Sequence, residues 1–220
     1  ILPVSRKRKC PAEDLLVFEI FFHHIVDLRP YCIIEDQVIR RRLHRMNRGR
    51  QYDVLIVGGG PGGIYSAYEL LKKRPDLKIA LFEAGHALSR RHCPIDGDKV
   101  KSCVKCPTCA IMNGFGGAGA FSDGKYNITN QFGGTLHEHI GKKRALELME
   151  YVDQINVENG GQGTHLYSTG ATPIKKLCLE NDLHLLDASV RHLGTDKNLV
   201  VLEHLYNILK DGVDIFFDTP

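Results

Sequence analysis

Three stretches of the chain carry residue types whose spacing suggests chemistry. The first is Tyr52-Asp-Val-Leu-Ile-Val-Gly-Gly-Gly-Pro-Gly-Gly63, which fits G-x-G-x-x-G with Gly58, Gly60 and Gly63 in the three positions. In a dinucleotide site each glycine has its own task. Gly58 allows the tight turn out of a strand, Gly60 lets a pyrophosphate approach the backbone, and Gly63 lets the following helix pack close. Pro61 suits the first helical turn, where a missing N–H costs nothing, and Gly62 counts with it among the cofactor-binding candidates. Free N–H groups and the positive end of the helix dipole then face the phosphates. Glu83 lies 20 residues beyond Gly63, in the window for the acid that holds the adenosine ribose hydroxyls. A carboxylate there disfavours a 2′-phosphate, so FAD or NAD is favoured over NADP.

The second stretch holds Cys93, Cys103, Cys106 and Cys109, a C-x9-C-x2-C-x2-C pattern. Thiolates three residues apart on a tight turn can converge on zinc or an iron–sulfur cluster. A bacterial ferredoxin shares the C-x2-C-x2-C core, but its Cys-Pro pair comes last, and here Cys93-Pro94 comes first. A C-x2-C pair beside a flavin can also pass electrons as a dithiol. An ordered loop of reduced structural thiols is the third reading, and the spacing leaves all three open.

The third stretch is Gly114-Phe-Gly-Gly-Ala-Gly-Ala-Phe-Ser-Asp-Gly-Lys125. So many glycines let backbone amides come within bonding distance of a flat or anionic ligand. Ser122, Asp123 and Lys125 add polar groups at the same place. A cation or amide near a flavin's pyrimidine edge stabilises the reduced ring, so Lys125 and Ser122 are candidates for tuning a cofactor. No residue stands out as a general acid or base. Arg90 and Arg91 either approach the phosphates or are solvated. His137, Glu138 and His139 read as surface residues rather than metal ligands.

These stretches need elements to position them. Val54 to Val57 reads as a buried strand, because β-branched residues dominate it and glycine ends it. Ile64, Ala67, Leu70 and Leu71 recur at helical spacing, and Pro75-Asp76 ends that helix. Leu77 to Phe82 reads as a second buried strand, completing a Rossmann-like βαβ unit in an α/β fold. From residue 142 onward Ala145, Leu146, Leu148, Met149 and Val152 line one helical face. Residues 173–180 form a short helix with Cys178 as a buried free thiol. Leu183 to Val190 reads as a strand, Asn198 to Lys210 as an amphipathic helix and Val213 to Phe217 as a further strand.

The totals set bounds. The chain has 220 residues, 43% of them apolar, which is enough for a real core in one or two domains. A net charge of +3 gives no basic face for nucleic acid. No apolar run reaches the roughly 18–20 residues of a membrane span. Four of the seven cysteines crowd one stretch, a usage that suits reduced thiols or a metal and hence an intracellular, cytoplasmic setting.

With these residues in view, the chain resembles the uncharacterised FAD-dependent dehydrogenase family within the glutathione-reductase-like flavoproteins. The resemblance rests on Tyr52 to Gly63, Glu83, Arg91 to Cys93 with Pro94, the three closely spaced cysteines and Gly114 to Lys125. It extends through Gln131-Phe-Gly-Gly134 and Tyr151-Val-Asp153, spanning about residues 50–160. It implies FAD, an oxidoreductase activity and small-molecule electron donors and acceptors. Carried across, Gly58, Gly60, Gly63 and Glu83 hold the ADP half, while Gly116, Gly117, Ser122, Asp123 and Lys125 lie near the pyrophosphate or flavin.

Three units are expected. Residues 1–50 differ from the rest, with basic runs Arg6 to Lys9 and Arg40 to Arg50 around an apolar stretch from Leu15 to Val26. Met46 lies close before the first strand, so residues 1–45 read as an extension of little functional weight. Residues 51–160 are the FAD-binding part with its cysteine-rich loop. Residues 161–220 open an inserted second domain. Flavoproteins of this group close the site with a later Gly-Asp strand on the flavin ribitol, so the chain reads as a fragment that binds FAD weakly and turns over poorly. Three other readings stand: a metal or iron–sulfur module on a nucleotide-binding scaffold, an NAD-dependent dehydrogenase, and an inert truncated product.

Overall fold

The computed structural model describes residues 51–170 and 172–220. The expectations for residues 1–50, including the basic runs, the apolar stretch and the extension before Met46, lie outside the described residues.

The first sheet is parallel and has the order β1–β2–β6, built from β1 (Val54–Val57), β2 (Ile79–Phe82) and β6 (Val213–Phe216). Register places Val54, Ile79 and Val213 in one row and Ile56, Leu81 and Ile215 two residues on. Side chains alternate between faces along a strand, so these six residues share a face. They join one core with α1 (Pro61–Lys73) and α5 (Gly194–Leu209). Ile64, Ala67 and Leu70 come from α1, and Val201, Leu202, Leu205 and Leu209 from α5. Both sets follow the three-to-four spacing of an apolar helical stripe. Gly212 follows α5 and packs so close to Leu71 that a Cβ there would lie 2.3 Å from it.

The other face of the sheet is covered unevenly. Ala80 and Phe82 are buried, and Phe82 stacks on Phe216 with ring centroids 4.9 Å apart. Leu55 and Val57, however, are 55% and 79% exposed. The expectation of a fully buried first strand is therefore corrected: among the described residues β1 stands at one edge of the sheet, and only its Val54 and Ile56 side reaches the core.

Between β2 and β6 the chain builds a second, antiparallel sheet of order β3–β5–β4. Its strands are β3 (Lys125–Ile128), β4 (Leu166–Ser168) and β5 (Ser189–His192). Helices α2 (Leu136–Ile140), α3 (Lys142–Asn156) and α4 (Pro173–Glu180) connect these strands. A bidentate pair ties this sheet to α3, with Arg191 Nε and Nη2 on Asp153 Oδ1 and Oδ2 at 2.5 and 2.8 Å. Arg191 Nη1 also donates to the Thr164 carbonyl at 2.9 Å.

Two sequence expectations shift here. The strand expected from Leu183 to Val190 is Ser189–His192, and Leu183 and Leu186 are exposed in the segment before it. Residues 161–220 are divided between the two sheets. β4 and β5 join the second sheet, whereas α5 and β6 return to the first. Cys178 is half-buried and free rather than buried.

Candidate dinucleotide site

The carboxyl ends of β1, β2 and β6 meet at one edge, the place where open α/β sheets bind ligands. Backbone bonds knit that edge together. Gly58 N donates to Phe82 O at 2.7 Å, Glu83 N to Phe216 O at 2.8 Å, Asp218 N to Gly85 O at 3.0 Å and Thr219 N to Glu83 O at 3.0 Å. Beside them Asp218 pairs with both Arg90 and His86, and those contacts hold its carboxyl below the usual range, Arg90 most strongly.

The turn after β1 separates the glycines by role. A Cβ on Gly63 would sit 1.9 Å from the Gly58 carbonyl oxygen, so its absence is what lets α1 start against the strand tip. At Gly58, Gly60 and Gly62 the same construction meets nothing within 4 Å, so the space over the turn is open. Pro61 is the first residue of α1, and no side chain caps the helix. Its first N–H groups therefore remain for a ligand, and the residues present fit a diphosphate.

Glu83 is buried, 7% exposed, directly beneath that turn. Its Oε2 accepts from Gly59 N at 2.6 Å, and Oε1 accepts from Gly85 N at 2.7 Å and Gly114 N at 3.0 Å. Three glycine segments far apart in sequence thus share one carboxylate. That leaves Oε2 as the oxygen with acceptor capacity to spare for a hydroxyl. Glu83 is thus a clip that joins the two glycine stretches.

The second glycine stretch lies against the first. Gly116 N donates to Gly59 O at 2.7 Å, and a Cβ on Gly117 would come 3.3 Å from Gly60 Cα. Residues Gly117–Phe121 form a short 3₁₀ turn. Asn198, buried on α5, donates from Nδ2 to the carbonyls of Gly119 and Ala120, both at 3.0 Å. Its Oδ1 accepts from the Tyr126 hydroxyl at 2.9 Å.

Pro61, Tyr65, Gly116, Ser122, Lys125, Tyr126 and Asn198 line a cavity of about 160 Å³ beside the turn. Tyr65 donates to Asn156 Oδ1 at 2.5 Å. Its phenol is pushed far up by burial and by the neighbouring Tyr126, against the pull of Asn156. Burial likewise raises Tyr126. Both therefore stay neutral walls of this cavity.

The remaining expected site residues are placed as follows. Ser122 Oγ donates to Gly119 O at 2.7 Å and accepts from Gly124 N at 3.3 Å, so it closes the turn it belongs to. Lys125 and Asp123 form an exposed pair at 2.7 Å, which holds Asp123 below the usual carboxylate range. Cys93 and Cys109 are half-buried, and Cys103 and Cys106 are exposed. Among the described residues no three His, Cys, Asp or Glu side chains converge where a metal could be held. Part of the intervening chain is spent on a local turn, in which Asp96 Oδ1 accepts from Asp98 N and Val100 N at 2.9 and 2.8 Å.

Arg91 is the residue whose placement spacing left undecided. It is buried, 5% exposed, and reaches neither solvent nor the open turn. Its guanidinium donates to four backbone carbonyls: Ala110 at 2.8 Å, Ile111 at 2.6 Å, Phe115 at 2.7 Å and Gly117 at 2.8 Å. Burial lowers its pKa, while the charges of Glu83 and Cys109 act to raise it. Asn198, Tyr65 and Tyr126 were also not singled out by sequence. A polar Asn198 on the apolar stripe of Val201, Leu202 and Leu205 was the available signal.

Comparison with known proteins fits this geometry in part. Residues 36–90 match the model of the Thi4 family. The match begins ten residues upstream of Met46 and ends at Arg90, so it includes the first glycine turn, α1, β2 and Glu83. Thiamine thiazole synthase of Yarrowia lipolytica is 48% identical over 48 residues, and that of Emericella nidulans 51% over 45 residues. These stretches cover 22% and 20% of this chain but only 15% and 14% of the relatives. Among solved structures, L-amino acid deaminase from Proteus myxofaciens aligns with 76% of this chain and 38% of its own. Its TM-score is 0.29 and its identity 14%. No helix among the described residues is long and apolar enough to cross a membrane.

Proposed function

We propose that this chain supplies the ADP-binding half of an FAD-dependent oxidoreductase site. One observation carries the reading: the open glycine turn at Gly58, Gly60 and Gly62 sits at the start of an uncapped helix, directly over the buried Glu83 carboxylate. The turn and α1 bind the diphosphate, and Glu83 Oε2 takes a ribose hydroxyl. The stretch Gly116 to Lys125 with its neighbouring cavity leads on toward the ring system. The match over residues 36–90 supports nucleotide binding, since it covers the βαβ segment that does this work. It does not carry thiazole synthesis to this chain, because so little of those relatives is matched.

A bound flavin would supply hydride acceptance. The protein's share is to hold the diphosphate, orient the ring and keep the Tyr65 and Tyr126 phenols neutral beside it. Titration calorimetry with FAD, ADP, NAD and NADP tests the reading. FAD and ADP are expected to bind, and NADP to be rejected, because its 2′-phosphate would meet Glu83. Tighter binding of NAD than of FAD would favour a nicotinamide-dependent dehydrogenase. No binding of any of the four would overturn the reading.

A further inference from the structure

Arg91 has an unusual set of partners. A buried guanidinium is expected to face a carboxylate, yet among the described residues none lies within ion-pair distance of it. Its acceptors are the carbonyls of Ala110 and Ile111, at the end of the cysteine stretch, and of Phe115 and Gly117, in the second glycine stretch. The Phe121 ring covers the guanidinium with its centroid 4.8 Å away. Gly114 makes room for the side chain, since a Cβ there would lie 2.6 Å from Arg91 Cδ.

We infer that Arg91 is a positioning residue for the dinucleotide site, holding the second glycine turn in the one arrangement that meets the first. The inference rests on the dinucleotide reading above. The geometry runs in a short chain. A guanidinium is planar and presents five N–H donors in a fixed fork. Here that fork fixes the Phe115 and Gly117 carbonyls on either side of Gly116. With both held, the Gly116 N–H points at Gly59 O, 2.7 Å away. Gly59 N is held from the opposite side by Glu83. Arg91 and Glu83 thus clamp the two turns from the two ends of one hydrogen-bonded path. Neither needs to touch the ligand to set its floor. Lysine offers three donors from a single point and cannot span four diverging carbonyls.

Two measurements on the full chain test this. Amide exchange reads the clamp with no ligand present. In Arg91→Lys the Gly116 N–H is expected to exchange about tenfold faster or more, while amides of β2 and α5 keep their protection. FAD titration reads the consequence. If the joined arrangement falls to a tenth of the population, apparent affinity falls about tenfold. In Arg91→Ala, added guanidinium at sub-denaturing concentration is expected to restore FAD affinity and methylammonium is not, a rescue that a general loss of stability would not show. Should the Arg91 variants fail to fold, Phe121→Leu removes the covering ring and is expected to weaken FAD affinity about two- to fivefold. Unchanged Gly116 exchange in Arg91→Lys, or wild-type affinity in Phe121→Leu where the Arg91 variants do not fold, overturns the inference. Faster Gly116 exchange in a protein whose wild type binds neither FAD nor ADP would instead remove the dinucleotide reading and with it the positioning role.

Discussion

Gly59 and Glu83 are joined by a 2.6 Å hydrogen bond from backbone N–H to Oε2, which makes the tips of β1 and β2 a single unit. The same carboxylate accepts from Gly85 and Gly114, so two oxygens satisfy three buried donors. Glu83→Gln replaces one of those oxygens with an NH₂ group and sets donor against donor. The expected cost is about 2–3 kcal/mol of stability, because a buried N–H loses its acceptor. A lower urea midpoint with unchanged slope checks it, and FAD affinity should fall in the same variant.

The glycines of the first turn should separate by substitution. Gly60 has φ −76°, which alanine tolerates, and open space where a Cβ would go. Gly60→Ala is expected to hold stability within about 0.5 kcal/mol, or raise it slightly. The methyl would project into the diphosphate's approach, so FAD affinity should fall about tenfold or more. Gly63→Ala behaves in the opposite way. Its Cβ would lie 1.9 Å from the Gly58 oxygen, so α1 must move, and a loss of about 3 kcal/mol or more is expected. Thermal unfolding with and without FAD separates the two. Equal stability losses in both variants would show that the turn is shaped by packing alone.

Sequence made the first turn legible because its constraints are local. Gly63 and Pro61 are required by contacts within a few residues, and the helix and second strand follow from periodicity around them. The features that did not show depend on distant partners. Arg91 bonds backbone carbonyls, which leave no side-chain pattern to read. The return of β6 to the first sheet depends on α5 packing against α1, a contact between residues more than a hundred positions apart. Val213 to Phe217 read as a strand, which the structure places at Val213–Phe216, but gave no sign of which sheet it would join. The exposed side of β1 was hidden for a related reason. Leu55 and Val57 are as apolar as Val54 and Ile56, and only the register shows which pair faces α1. Cysteine spacing left the role of Cys93, Cys103, Cys106 and Cys109 open for a similar reason, since a repeated C-x2-C fixes distances along the chain and not the direction of the sulfurs.

Arg191 on the second sheet and Asp153 on α3 join those two elements through an ion pair. The pair is bidentate and both side chains are nearly buried, about a tenth exposed. The hydrogen bond to the Asp153 carboxylate raises the Arg191 pKa, and without that carboxylate the guanidinium still stays charged because its ordinary pKa is already very high. Asp153→Ala would leave that charge buried with only the Thr164 contacts. A loss of about 3–5 kcal/mol is expected. Removing both side chains should cost less than the sum of the single losses, and a double-mutant cycle by chemical denaturation measures that coupling.

Tyr65 and Tyr126 predict the alkaline limit of the fold. Burial raises both phenols, and each keeps its proton to donate to an asparagine oxygen, Asn156 for Tyr65 and Asn198 for Tyr126. A group whose folded pKa lies above its unfolded value binds its proton more tightly when folded. The stabilisation is therefore complete below the unfolded phenol pKa of about 10 and disappears as pH rises through the folded value. Stability measured by urea titration should be insensitive to these groups near neutral pH and fall steadily above about pH 10. Tyr126→Phe keeps the ring, removes the titrating group and should flatten that fall, at a cost near neutral pH of about 1 kcal/mol for the lost hydrogen bond to Asn198. Because Asn198 also holds the Gly119 and Ala120 carbonyls, the same variant should loosen the second glycine turn and weaken FAD binding without disturbing Gly60. An alkaline slope identical to that of the wild type would exclude Tyr126 and leave Tyr65 as the phenol of this pair that sets the fall.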